Sequence, residues 1–278
     1  MNRARKEVTT IVLSMVATCA LGAAVLGGVY VVTSGHMAAA RRDSEQREVA
    51  TLLSLGPQAE VLEVRQLLAP ERRVVIYQIA TVGAEGKPAE LAFDLDGMPV
   101  RSTAGSGPAE KLVPLGRVFV ARKGGVPAGF VVEGTTQGYK NRIRFLVGLD
   151  ASFEIVGVRV VEHEEDPGLG AEVATPEYSG QFVGRTASDA TLAVTRDPMP
   201  EDWRAALTEL RRMPITAWRG RHRELLGRES GKPIYAVTGA TISSRALAEG
   251  VRVTVERFRT RWLRLAPYLD RLAAGGTR

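Results

Sequence analysis

The chain has almost no cysteine. Its 278 residues contain one, Cys19, inside an apolar run, so neither a disulfide framework nor a cysteine-ligated iron–sulfur cluster is available. Any redox chemistry therefore requires a bound cofactor. Histidine is scarce too: His36, His163 and His222 lie in unrelated segments, and no His-Glu-x-x-His helix occurs. The absence of a Gly-x-Ser-x-Gly elbow argues against a serine hydrolase. Gly168 and Gly170 do not make a dinucleotide fingerprint, because Val173 stands where a third glycine is needed. His163, Glu164, Glu165 and Asp166 form a local cluster, yet adjacent carboxylates on one turn seldom converge on a metal ion. No metal site and no catalytic residue is therefore expected.

Charge is missing from a long stretch between Glu7 and His36. As a helix this run spans about 40 Å, enough to cross a bilayer with some tilt. Gly22, Ala23, Ala24, Gly27 and Gly28 would let a neighbouring membrane helix approach closely. Arg3, Arg5 and Lys6 favour a cytoplasmic N-terminus, which places the bulk of the chain outside the cytoplasm. Two competing readings of this segment are a signal peptide cleaved at Ala38-Ala39-Ala40 and a lipoprotein modified at Cys19. The run is too long for a signal core, and Val16-Ala17-Thr18 does not suit the lipoprotein junction. An uncleaved anchor is the expectation.

The formal charge of +6 and isoelectric point near 9.7 do not indicate nucleic acid, since few aromatics interleave with the basic residues and no nucleic-acid motif occurs. The basic stretch from Arg204 to Arg228 reads as a solvated face, with a partner or anionic lipid headgroups as the alternative. At 45% hydrophobic residues, the chain can bury a sizeable core.

Hydrophobic periodicity predicts a transmembrane helix within residues 1–36, a helical connector over 37–56 and one domain over 57–278. Strand-type runs cover Arg73–Val82, Ala89–Asp94, Arg117–Arg122, Gly129–Glu133, Ile143–Leu149 and Ile155–Val161. Turn signals fall at Ala84-Glu85-Gly86-Lys87-Pro88, and a surface loop at Ser102–Pro108. A helical insertion is expected at about 197–230: one helix through Trp203, Leu207 and Leu210 ending before Pro214, and another from about Ile215 to Leu226. The order of strands followed by a final helix predicts an α+β domain, the helix packing on a curved antiparallel sheet.

That final helix starts at the most informative segment, Ile234-Tyr235-Ala236-Val237-Thr238-Gly239-Ala240-Thr241-Ile242-Ser243-Ser244. Leu247, Val251, Val255, Phe258 and Trp262 then recur at spacings of three and four, which gives one apolar face. The open backbone N–H groups of Ile242, Ser243 and Ser244 would stabilise an anion carried on the Thr241 hydroxyl. On spacing alone, the commoner role of Thr241 is a plain N-cap.

The same stretch resembles the Asp-x-x-Ser/Thr-Gly-Ala-Thr signature of the FMN-binding subunits of the Rnf electron-transport complex and the sodium-pumping NADH:quinone reductase. A second block, Glu162-His163-Glu164-Glu165-Asp166-Pro167-Gly168-Leu169-Gly170, is similar to that family's His-x-Glu-Thr-Pro-Gly-Leu-Gly segment, with Asp166 where the family has Thr. Gly138-Tyr139, the strand pair around Asp150 and Gln181-Phe182 continue the likeness, which covers roughly residues 117–186 and 233–260. Tyr235 stands where the family motif has its leading Asp.

The resemblance implies FMN joined through a phosphoester to Thr241, with Thr238, Gly239 and Ala240 as its turn and Ile242, Ser243 and Ser244 beside it. It further implies that Gly168, Leu169 and Gly170 bring backbone close to the cofactor or its loop, with His163 or Glu165 fixing that turn. Implied partners are other membrane subunits of an Rnf-type complex and a flavin transferase, with the domain on the periplasmic side of the inner membrane. The implied activity is electron relay between ferredoxin and NAD coupled to ion movement. The alternatives are the corresponding quinone-reductase subunit, another respiratory flavin-domain protein, or a flavin-free membrane-tethered binding module.

Overall fold

The computed structural model describes residues 2–53, 60–82, 88–100, 111–188 and 190–273. The expected turn at Ala84–Lys87 and the loop at Ser102–Pro108 lie outside them.

The chain forms two compact units, Met1–Glu48 and Val49–Arg278. Helix α1 runs from Asn2 to Leu53 without a break. Within it, Val12–Tyr30 has a mean hydropathy of 2.1 and is long and apolar enough to cross a membrane. Its apolar side chains point outward, Leu13, Leu21 and Leu26 each being about 70% exposed, as expected of a surface suited to lipid. Cys19 is exposed on the same segment.

The second unit is built on one open antiparallel sheet. Its strands are β1 (Glu60–Ala69), β2 (Val74–Thr81), β3 (Ala89–Asp94), β4 (Pro99–Val100), β5 (Val113–Lys123), β6 (Val126–Gln137), β7 (Arg142–Asp150) and β8 (Ile155–Glu162). They lie in the order β4-β3-β2-β1-β5-β6-β7-β8, every neighbour antiparallel. The sequence reading missed β1, whose charged residues Glu63 and Arg65 alternate with buried Leu62 and Val64.

Helix α6 (Thr241–Ala273) covers one face of this sheet. Leu247, Val251, Val255, Phe258 and Trp262 are all buried, and the stripe continues through Leu265 and Leu269. Burying each such side chain contributes about 1.5–3 kcal/mol. Phe130 of β6 centres the contact, 4.6 Å from the Trp262 ring and 5.1 Å from Phe258. The helix comes close because β6 carries Gly134 here: a Cβ on it would stand 2.5 Å from Phe145 and from the Thr254 hydroxyl. On the opposite face, Val49 and Leu52 pack with Phe119, Val131 and Leu146. Being covered on both faces explains the unbroken buried runs of β5, β6 and β7.

After β8 come a 3₁₀ turn at Gly170–Ala174, the short helix α2 (Pro176–Ser179) and strand β9 (Val194–Thr195). Helices α3 (Glu201–Glu209), α4 (Ile215–Arg221) and α5 (Arg223–Glu229) follow, then β10 (Ile234–Tyr235), which pairs parallel with β9. The expected single helix over Ile215–Leu226 is thus two helices, broken where His222 adopts φ −107° and ψ 29°. These helices form their own core, in which Trp203, Leu207 and Trp218 are fully buried around Tyr235 and Val183.

Candidate functional site

The N-terminus of α6 meets the turn that follows β8, bringing the two sequence motifs together. Glu165 is the link. Its carboxylate accepts the backbone N–H groups of Lys140 at 2.9 Å, Asn141 at 3.2 Å and Tyr139 at 3.3 Å, and also the Ser243 hydroxyl. Only 5% of Glu165 is exposed. Burial pushes its pKa up, but the Ser243 hydroxyl and the three amides outweigh that and hold it below the ordinary value. Near neutral pH the carboxylate is therefore an anionic clasp between the β6–β7 turn and the first turn of α6. Gly170 makes this contact possible, since a Cβ there would lie 2.9 Å from Glu165 Cβ and 3.0 Å from Ser243 Oγ.

Ser244 is engaged as well. Its Oγ accepts the Val237 N–H at 3.0 Å, and its carbonyl accepts the buried Tyr178 hydroxyl at 2.6 Å. Its own amide bonds to the Ala240 carbonyl at 3.0 Å, which corrects the expectation that it stays open to an anion. The α-helical ladder claims that N–H at once, leaving the Ile242 and Ser243 amides without a backbone acceptor among the described residues.

Thr241 behaves differently from the serines. It is half-buried, and its hydroxyl has no hydrogen-bond partner among the described residues. A capping threonine would spend that oxygen on a backbone N–H two or three residues on. Here the oxygen is left over, at the positive end of a helix more than thirty residues long.

The flanking turn is shaped by Gly239, whose φ of +78° is costly for any other residue. Leu169 packs against it, 3.0 Å from where a Cβ would stand. Thr238 and Gly239 are exposed, while Leu169 and Ile242 remain 49% and 58% exposed although apolar. Ala240 is buried and accepts the helix's first bond. Gly168, at φ +74°, sits in the turn after β8, where Asp166 is bonded to Lys140 at 2.6 Å. His163 does not join this network, and its Nδ1 is buried without a hydrogen-bond partner among the described residues.

Residues 138–256 match the model of the FMN-binding domain family. The match begins at the Gly138 turn that holds Glu165 and ends within α6. Over 252 residues the chain is 26% identical to the G subunit of the ion-translocating oxidoreductase complex of Methanosarcina acetivorans, covering 90% of this chain and 94% of that one. The chain is thus similar to a G subunit of such a complex over nearly its whole length. It is 28% identical over 142 residues to the G subunit of the proton-translocating ferredoxin:NAD(+) oxidoreductase complex of Clostridium ljungdahlii, covering 51% of this chain and 60% of that one. Among solved structures it is similar to Shewanella oneidensis NqrC, with a TM-score of 0.49 and 18% identity, covering 82% of this chain and 99% of that one.

Tyr235, which stands where the resembled motif has its leading Asp, is held inside the fold. It is 8% exposed, and its hydroxyl donates to Glu229 at 3.1 Å. Gln181 grips its backbone, accepting the Tyr235 N–H at 2.9 Å and donating to its carbonyl at 3.1 Å. The position that departs from the motif is thus packed against the 197–230 helices.

One functional-looking residue was overlooked altogether. Arg185 is 1% exposed and donates to the carbonyls of Gln181 at 2.5 Å, Thr191 at 2.7 Å, Glu229 at 2.8 Å and Ser230 at 3.2 Å, and to that of Lys232. Burial lowers its pKa to about 10. Nothing in the local sequence marks it, since its partners are backbone carbonyls on distant segments.

Proposed function

We propose that this chain is a membrane-anchored flavoprotein electron carrier with FMN joined by a phosphoester to Thr241, acting as a subunit of an Rnf-type complex. The observation that carries the reading is the unbonded Thr241 hydroxyl, set beside the open Ile242 and Ser243 amides while both following serines are committed to other bonds. The site fits the group. The two amides and the helix dipole would hold the phosphate, and exposed Leu169 and Ile242 offer apolar surface for the ring system. When bound, FMN supplies the redox chemistry. The chain's own part is to fix the attachment point: Glu165 and Ser243 clamp the first helical turn, and Gly239 and Leu169 shape its approach. His163 would lie at the edge of this site.

On this reading residues 1–36 anchor the chain, 37–56 connect, and 57–278 form the extracytoplasmic FMN-binding domain with a helical insertion at 197–230. A covalent link suits such a compartment, because a cofactor held by reversible contacts is lost by mass action where free cofactor is scarce. A flavin transferase would form the ester. Other membrane subunits would receive and deliver electrons, coupling ferredoxin and NAD chemistry to ion translocation. A flavin-free binding module is the second reading, favoured by Tyr235 in place of the motif's Asp.

The test is intact mass and in-gel flavin fluorescence on denatured protein from its native membrane, beside Thr241→Ala. The expected result is fluorescence and the added mass of FMN less water in the wild type, both gone in the variant. An unmodified wild-type mass would sink the phosphoester.

A further inference from the structure

The eight-stranded sheet splits at one end. Pairing between β5 and β6 runs from Lys123 opposite Val126 to Val118 opposite Val132 and stops there. Yet β5 stays paired with β1 as far as Val113 opposite Leu68, and β6 stays paired with β7 as far as Gln137 opposite Arg142. A register shift between Gln66 and Leu67, which oppose Gly116 and Pro114, leaves Leu115 without an opposite residue. Such a bulge bends its strand.

The split is a cleft of about 530 Å³, with the diverging strands as its sides and Thr254, Arg257 and Arg261 of α6 behind it. Among the described residues, the backbone N–H and C=O groups that would have joined β5 to β6 beyond Val118 and Val132 have no ladder partner across this space. Gly116 leaves that backbone open, since a Cβ there would meet nothing within 4 Å.

The cleft is also cationic. Arg252 on α6 is paired with both Glu249 and Glu256. Arg257 is exposed and has no acidic partner among the described residues, and half-buried Arg261 donates to the neutral Gln66 side chain at 2.6 Å. Glu133 is the one carboxylate among the described lining residues, and it is already bonded to Arg117 at 3.1 Å and Arg144 at 2.9 Å.

We propose that this split receives an extended, acidic segment of another protein chain, its backbone running along the free edge of β5 at Leu115–Arg117 and its carboxylates meeting Arg257 and Arg261. A strand edge alternates donors and acceptors, and another extended backbone answers both at the matching repeat. A phosphate or carboxylate ligand offers acceptors alone. Arg257 lies about 24 Å along α6 from Thr241, so this docking does not depend on the flavin.

The test places a photo-crosslinking benzoylphenylalanine at Leu115 in the full chain in its native membrane, with a control probe at Val126, which is 66% exposed at the far end of the same strand pair. The adduct is sequenced by mass spectrometry. The expected result is an adduct from Leu115, absent from Val126, to an Asp- and Glu-rich segment of one other protein. Its yield should fall at least tenfold in Arg257→Glu, be retained in Arg257→Lys, and recover when the segment's carboxylates are changed to Lys. Adducts only to lipid, adducts to a second copy of this chain, no adduct, or a yield indifferent to Arg257→Glu would each overturn the proposal.

Discussion

The Ser243 hydroxyl donates to the Glu165 carboxylate across 78 positions of sequence, fastening the first turn of α6 to the turn after β8. Both groups are buried, so the bond cannot be replaced by water without opening the site. On the proposed reading it also keeps Ser243 from competing with Thr241 for the phosphate. With Ser244 Oγ already taken by the Val237 N–H, Thr241 keeps the one hydroxyl unbonded among the described residues, of three that lie within four residues.

Glu165→Gln tests the clasp. An amide of the same size turns one acceptor into a donor facing backbone N–H groups, and about 2 kcal/mol of stability should be lost near pH 7. Because the folded pKa lies below the ordinary 4.5, the wild-type carboxylate stabilises above that value and ceases to as pH falls through the folded pKa. Denaturation midpoints for both proteins should therefore converge on acidification below about pH 4.5. Parallel curves at all pH values would show that the carboxylate is not anchored as described.

Gly170→Ala should be poorly tolerated. The added Cβ meets Glu165 and Ser243 at about 3 Å, both held by buried bonds, so neither can retreat freely. A loss of about 1–3 kcal/mol in thermal unfolding is expected, with reduced flavin fluorescence. Gly168→Ala is the comparison, since a Cβ there meets nothing within 4 Å and only its φ of +74° is penalised. Equal losses in the two variants would remove the steric argument.

Tyr235 offers a graded series. Tyr235→Phe gives up the bond to Glu229 and should cost about 1–2 kcal/mol, as Arg228 and Lys232 still pair with that carboxylate. Tyr235→Asp restores the family motif but empties part of the Trp203 and Trp218 core and sets two acids side by side, at an expected cost above about 3 kcal/mol. Should Tyr235→Asp unfold no more readily than Tyr235→Phe, this position is not part of the second core. Flavin occupancy in the same variant reads whether attachment needs the motif's carboxylate.

Arg185→Lys keeps the charge and loses the fork. An ammonium cannot reach five carbonyls on three segments, so about 3 kcal/mol or more should be lost. Hydrogen exchange should rise at residues 181–192 and 229–235 before it rises in the sheet. Uniform exchange across the domain would mean that Arg185 does not hold these segments as a unit.

Much of the architecture is written in local pattern. The apolar stripe of α6 recurs at three and four, the β7–β8 hairpin surrounds Asp150, and the charge-free run of α1 exceeds a bilayer's thickness. Each is a periodicity or a length, and the hydrophobic effect reads both without knowing the rest of the fold. β1 escaped because Glu63, Arg65 and Gln66 interrupt its apolar residues, and its place is set only as the strand between β2 and β5. The break at His222 escaped because Trp218 must turn into the second core, a demand set by Trp203 and Tyr235 rather than by neighbours in sequence.

The sequence by itself determined which hydroxyls, glycines and carboxylates were available and in what order, because motifs are spacings along the chain. Only the tertiary structure decided which of them is free. Ser243 turns to Glu165, Ser244 to Val237 and Tyr178, and Tyr235 to Glu229, each partner arriving from a distant segment. Hydrogen bonds reach about 3 Å and are blind to sequence distance, so the unspent oxygen of Thr241 could be recognised only once the others were paired.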